Sequence, residues 1–285
     1  MQTQSFFYLI CLGAIWACNL VDGKPSESEK KTSKEMTYSY ACLDSAVGGS
    51  ETNKAISKTT DLIRKLAGKE EDITDAVQND YGKAFHEDAI ETKTFVLMKD
   101  TALTSQLQNI MNSLLSKRED PSKINYSIYL VEGDEINAFT FGGHIYITKA
   151  MYDKCKVNES LLYSIIGHEI GHSERGHIRK TIQEMMIAEK IFGEENGTLA
   201  FQVMKLLTGS FNQKNELEAD YYGTDLTYRL NFDVCAATAF WKEMSEKENE
   251  YSRFEDFFRT HPFSALRYQC LKSHIQANFG KNCLQ

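Results

Sequence analysis

Apolar positions recur at helical spacing along much of the chain. Ile56, Leu62, Ile63 and Leu66 predict a helix within 51–66. Ile73, Val77, Tyr81, Phe85 and Ile90 predict a second over 72–92. Leu103, Leu107, Ile110, Met111, Leu114 and Leu115 predict a third over 101–115. These helices read as scaffold, and His86 among them reads as a surface or capping histidine. After Pro121 the period shortens towards two. Tyr126, Ile128, Leu130 and Val131 predict a strand, Ile136 to Phe141 a second, and His144 to Thr148 a third, with Gly142-Gly143 as the break between the last two. Helical spacing then returns in Leu161, Leu162, Ile165, Ile166 and Ile170, after a start signal at Asn158 and Glu159. Further helices are predicted over 178–192, 196–207, 215–230, 233–245 and 264–277. Trp241, Met185 and Met186 are placed in packing roles. The pattern predicts an α+β chain, mostly helical, with a small sheet just ahead of one helix.

The chemistry lies in that helix. His168-Glu169-Ile170-Gly171-His172 puts two histidines four residues apart, one turn along one helix face. Both imidazoles can reach one metal ion with Glu169 beside it. This is the H-E-x-x-H zinc-hydrolase pattern, with Glu169 as general base. Glu216 and Asp220 share a face of a later helix. Glu216 is the candidate third ligand, and Asp220 the carboxylate that accepts from a ligand imidazole and fixes its tautomer. Ala219 between them is small enough to let the two helices approach. Ile178 and Arg175 stand where the metzincin pattern needs histidine and glycine, which excludes that class. His177 falls on a different side of the helix from the pair. His261 precedes Pro262 and is thereby held out of helical geometry, which lets it face the site as a second candidate catalytic residue beside Glu169, one that stabilises the oxyanion. Asn137-Ala138-Phe139 is the candidate sheet edge on which an extended substrate pairs through its backbone.

Composition narrows the reading further. The 285 residues carry a net charge of −8 with no basic run, which argues against a nucleic-acid partner. Residues 6–17 are apolar but short for a membrane span and resemble the core of a secretory signal. Residues 15–18 resemble a bacterial lipoprotein cleavage box, making Cys18 a candidate lipid anchor to a membrane surface. The chain is thus expected to divide into a signal over 1–18, a flexible tether over 19–45 and a catalytic domain over 46–285. Cys270 and Cys283 are close enough in sequence to form a bridge in an oxidising compartment.

Together, the stretch 167–177, Glu216 to Asp220, Asn137-Ala138-Phe139 leading to Gly142-Gly143 and Ile145-Tyr146-Ile147-Thr148, and His261-Pro262 with Arg267 resemble the M48 peptidases over about 120–275. The resemblance implies a mostly helical, zincin-like fold. It implies one zinc ion held by His168, His172 and Glu216, with Glu169 as base, Asp220 behind a ligand, and His261 near substrate or metal. His177 matches a recurring histidine with a structural role. Asn212-Gln213 departs from the Ser-Arg pair common ahead of the third ligand. The expected activity is zinc-dependent metalloendopeptidase action on unfolded or extended protein substrates, in envelope protein quality control. The expected location is exported, periplasmic or lipoprotein-anchored, with secretion as the alternative. Two other functions stay open: a chaperone or assembly factor that binds extended segments with little turnover, and an aminopeptidase.

Overall fold

A computed structural model describes residues 31–44, 73–192, 199–247, 260–262 and 264–283. The helix expected within 51–66 and the expected signal lie outside these residues. Helix α1 is short (Ala41–Asp44), and α2 (Asp75–Glu91) and α3 (Thr101–Leu115) precede the sheet. The starts of α2 and α3 are fixed locally. Thr74 accepts from the Val77 N–H, and Asp100 accepts from the Leu103 N–H, each satisfying a donor that the first helical turn leaves over.

Three strands follow, β1 (Ser127–Val131), β2 (Ala138–Phe141) and β3 (His144–Thr148). Their order is β1-β3-β2, parallel between β1 and β3 and antiparallel between β2 and β3. Gly142 and Gly143 join β2 to β3 with φ of +61° and +91°, the left-handed pair that a two-residue hairpin requires. Gly142 also lies against α2 at Gly82, where a Cβ would come 2.2 Å from the Gly82 Cα, so neither residue can carry a side chain. The sheet is covered on both faces. Ile128, Leu130, Ala138, Ile145 and Ile147 join the larger core, while Val131, Phe139, Phe141 and Tyr146 join a second core with Phe85 of α2. Successive residues point to opposite faces, which is why all of β2 is buried.

After α4 (Lys149–Cys155) comes α5 (Glu159–Glu174), buried at every position from Leu161 to Ser173. Asn158 stands at its N-cap but makes no side-chain cap bond. The helix stops at Arg175, Gly176 turns the chain with φ +79°, and α6 (His177–Phe192) begins at once. Helices α7 (Leu199–Ser210), α8 (Gln213–Arg229), α9 (Cys235–Lys247) and α10 (Ser264–Phe279) complete the chain. α8 packs along α5, α3 lies between α5 and β1, and α9 pairs with α10.

Two expectations change. Residues 31–44, expected within a tether, are docked on the helical core. Met36 is buried, the Thr37 N–H donates to Asn278 Oδ1 at 2.7 Å, and Tyr38 donates to Asp225 at 2.6 Å. The cysteines pair as Cys42–Cys270 and Cys235–Cys283, not Cys270–Cys283, with Cys155 buried and free. Cys270 faces α1 from α10, whereas Cys283 has passed the end of α10 and turned back onto α9.

Candidate metal centre

One turn of α5 separates His168 from His172, so their imidazoles meet with Nε2 atoms 3.0 Å apart. Glu216 reaches them from the first turn of α8. Asn212 caps that turn, its Oδ1 accepting from the N–H groups of Lys214 and Asn215, so this departure from the expected Ser-Arg pair is itself a helix start. α8 comes this close because the crossing has almost no side chains. A Cβ on Gly171 would lie 2.9 Å from Ala219 Cα, and one on Gly223 would lie 2.5 Å from the His168 nitrogen. Glu216 Oε1 is 3.4 Å from His172 Nε2, and Oε2 is 3.6 Å from His168 Nε2. His261 closes the group, its Nδ1 lying 3.1 Å from Glu216 Oε2 and 3.3 Å from His168 Nε2. All four residues are buried, and their donor atoms lie within 4.8 Å of one another.

The hydrogen bonds around the cluster fit a cation. Asp220 Oδ1 accepts from His168 Nδ1 at 2.9 Å, so the proton is on Nδ1 and His168 Nε2 offers a lone pair. The Ala138 carbonyl accepts from His261 Nε2 at 2.9 Å, so His261 turns Nδ1 towards the carboxylate. Lone pairs of imidazoles and a carboxylate therefore face one point. Glu216 Oε1 and Glu169 Oε2 are buried there without a hydrogen-bond partner among the described residues. A divalent ion with nitrogen and oxygen ligands satisfies this set.

The surrounding charges prepare it. Arg267, buried on α10, donates to both oxygens of Asp220 at 2.8 and 2.7 Å. Its Nη1 is 2.6 Å from Glu216 Oε2, an ion pair whose angle falls short of a hydrogen bond. Its guanidinium lies 3.4 Å over the Trp241 ring. Burial alone would raise the Asp220 carboxyl, but Arg267 reverses this and brings it down to about 2. Glu216 is likewise held below its ordinary value, with Arg267 and His261 outweighing burial. Burial keeps His168 and His172 below theirs, neutral as ligands must be. Glu169 differs. Burial pushes its carboxyl up to about 7, only partly opposed by His261 at 3.5 Å.

Asn137, Ala138 and Phe139 lie at the start of the outer strand β2, as an edge requires, but the edge is engaged. His261 bonds the Ala138 carbonyl, and the Thr260 hydroxyl donates to Asn137 Oδ1 at 3.2 Å. His86 is not a capping residue. It is half-buried, 3.0 Å from the Tyr146 hydroxyl and stacked on Tyr129 and His144. His177, expected to face away, turns back because Gly176 breaks the helix. Its Nδ1 is 3.1 Å from His172 Nδ1 and its Nε2 is 3.1 Å from Glu218 Oε2. No motif legible in the sequence assigns Glu218 or Phe211 a role. Yet Phe211 stacks on His172 with ring centroids 4.1 Å apart.

The sequence profile of peptidase family M48 matches residues 101–275, which contain every residue of this cluster. Beta-barrel assembly-enhancing protease of Escherichia coli is 29% identical over 189 residues, covering 60% of this chain and 38% of that protein. Metalloprotease LoiP of the same organism is 25% identical over 201 residues, covering 66% of this chain and 77% of LoiP. Mitochondrial metalloendopeptidase OMA1 of Arabidopsis thaliana is 22% identical over 268 residues, covering 90% of this chain and 50% of that protein.

Proposed function

The chain belongs to peptidase family M48, and from that premise we propose that it is a zinc metalloendopeptidase cleaving extended or unfolded protein segments. The observation that carries this reading is the convergence of four buried donors with a fifth buried group, Glu169, poised near neutral pH. His168, His172 and Glu216 hold the ion, and Asp220 fixes the His168 tautomer. When bound, zinc polarises the scissile carbonyl and makes water acidic. Glu169, its carboxyl pushed up to about 7 by burial, takes the proton of the attacking water and hands it to the leaving amine. The edge of β2 at Asn137-Ala138-Phe139 aligns the substrate backbone. Hydrolysis would need one protein donor fewer than the four that converge here, so that water could reach the ion. His261 is the donor to be withdrawn. It comes from a connecting segment, and its departure frees the Ala138 carbonyl as well.

Action in the cell envelope of an exported, lipid-anchored protein is supported by two disulfides, which belong to oxidising compartments, and by the similarity to a beta-barrel assembly-enhancing protease. Glu169→Gln is expected to keep one zinc per chain and to lose at least about 100-fold in hydrolysis of a disordered protein. Metal analysis beside a cleavage assay measures both. Undiminished cleavage by the variant would overturn the role of Glu169. Rescue of a cellular phenotype by the same variant would favour an assembly factor with little turnover.

A further inference from the structure

We propose that His177 and Glu218 form a relay that sets the tautomer and ring orientation of His172, making His177 a second positioning residue for the metal beside the Asp220–His168 pair. The inference rests on the metalloendopeptidase reading. A carboxylate only accepts, so the Glu218 Oε2 contact at 3.1 Å puts the proton of His177 on Nε2. His177 Nδ1 then carries a lone pair and accepts from His172 Nδ1–H at 3.1 Å. His172 Nε2 is left as a free lone pair beside Glu216 Oε1. Each step follows from the one before, starting at a carboxylate whose side chain is 24% exposed. Lys214, one turn back on α8, lies 3.5 Å from the other Glu218 oxygen and keeps that carboxylate paired. Phe211 stacks on His172 and limits its tilt, so orientation and proton placement are fixed by different neighbours.

The backbone is built for this contact. Gly176, with φ +79°, ends α5 and starts α6 at His177, which brings the imidazole back over the helix just left. The two ligand histidines are thus served by opposite sides of α8. Asp220 acts directly on His168, while Glu218 acts on His172 through an intervening imidazole.

The test uses the full chain and zinc itself, measured by competition with a chromogenic chelator, together with the visible spectrum of the cobalt-substituted protein. His177→Phe keeps a ring but removes both hydrogen bonds. It is expected to weaken zinc binding about 10- to 100-fold and to shift the cobalt bands. His177→Gln can accept from His172 and donate to Glu218, and is expected to recover most of the affinity. Glu218→Ala, at a partly exposed helix position, weakens binding in the same direction and serves if His177→Phe fails to fold, which melting of the metal-free protein reveals. Zinc affinity within two-fold of wild type in Glu218→Ala and in folded His177→Phe, with unchanged cobalt spectra, would overturn the relay. A wild-type chain that binds no zinc would overturn the metalloendopeptidase reading and the relay with it, and the wild-type titration separates that result from failure of the relay alone.

Discussion

Single side chains near the sheet carry a pH dependence separate from the metal cluster. His144 is held by burial, and secondarily by the charge of His86, down to about 4. The unfolded chain protonates this residue near the ordinary value of about 6.5. Between those two values the unfolded state binds more protons. The stability His144 contributes is therefore whole above about 6.5 and is lost as pH falls towards 4. His144→Phe keeps the stack with Tyr129 and His86. It should flatten the dependence of urea-unfolding free energy on pH across that window. An unchanged slope would remove His144 from the acid response. Such residues were only partly legible in the sequence. His168, Glu169 and His172 could be read because one helix turn brings them together. Arg267 was visible as a motif residue but without a role, because its partner Asp220 is 47 positions away. The position of His177 is not legible, because helical spacing does not continue through Gly176.

Between elements, the crossing of α5 and α8 decides whether Glu216 reaches the imidazoles. Gly167 and Gly171 on one helix meet Gly223 and Ala219 on the other. A methyl at Gly223 would fall 2.5 Å from the His168 nitrogen and 2.6 Å from the Gly167 carbonyl carbon. Both are backbone atoms, so the helices must part. Replacing glycine by alanine inside a helix favours folding by about 1 kcal/mol where space allows. Gly223→Ala is instead expected to destabilise the chain by about 1–3 kcal/mol, the cost of overpacking, and to weaken zinc binding with it. Urea unfolding and chelator competition report the two effects, and a stabilised variant would show that the crossing has room. The helices themselves were readable from apolar period, α3 to its end residues. The sheet was readable as three strands from their Gly and turn signals. Its burial on both faces was not, because strands this short give the same pattern whether one face or both are covered.

Across the whole molecule, the two disulfides fasten both ends of the described chain to the helices around the site. Cys42–Cys270 spans 228 residues, and Cys235–Cys283 spans 48. Cys42→Ser is expected to cost about 4 kcal/mol, as for closure of a long loop, and to release residues 31–44 first. Limited proteolysis followed by mass spectrometry would show cutting in that stretch before any in α5 or α8. Equal protection of the stretch in the variant would mean that Tyr38 and Asn278 hold it without the bridge. The pairing could not be read from spacing. Which thiols meet depends on where α10 lies relative to α1 and α9, and that is set by packing. The polar run 24–35 suggests a tether, but beyond it Met36 is buried and Tyr38, Tyr40, Cys42 and Leu43 pack against the larger core, so this part docks through buried carbon as well as hydrogen bonds.

The Cys42–Cys270 bridge also determines where a pulling force would go. Tension applied to the chain ahead of residue 36 loads first the bonds of Thr37 to Asn278 and of Tyr38 to Asp225. Once those part, it crosses the sulfurs into α10, one turn from the guanidinium that steadies Asp220 and Glu216. A tug on that leading stretch is therefore passed to α8 and α10, the two helices that hold Glu216, Asp220 and Arg267.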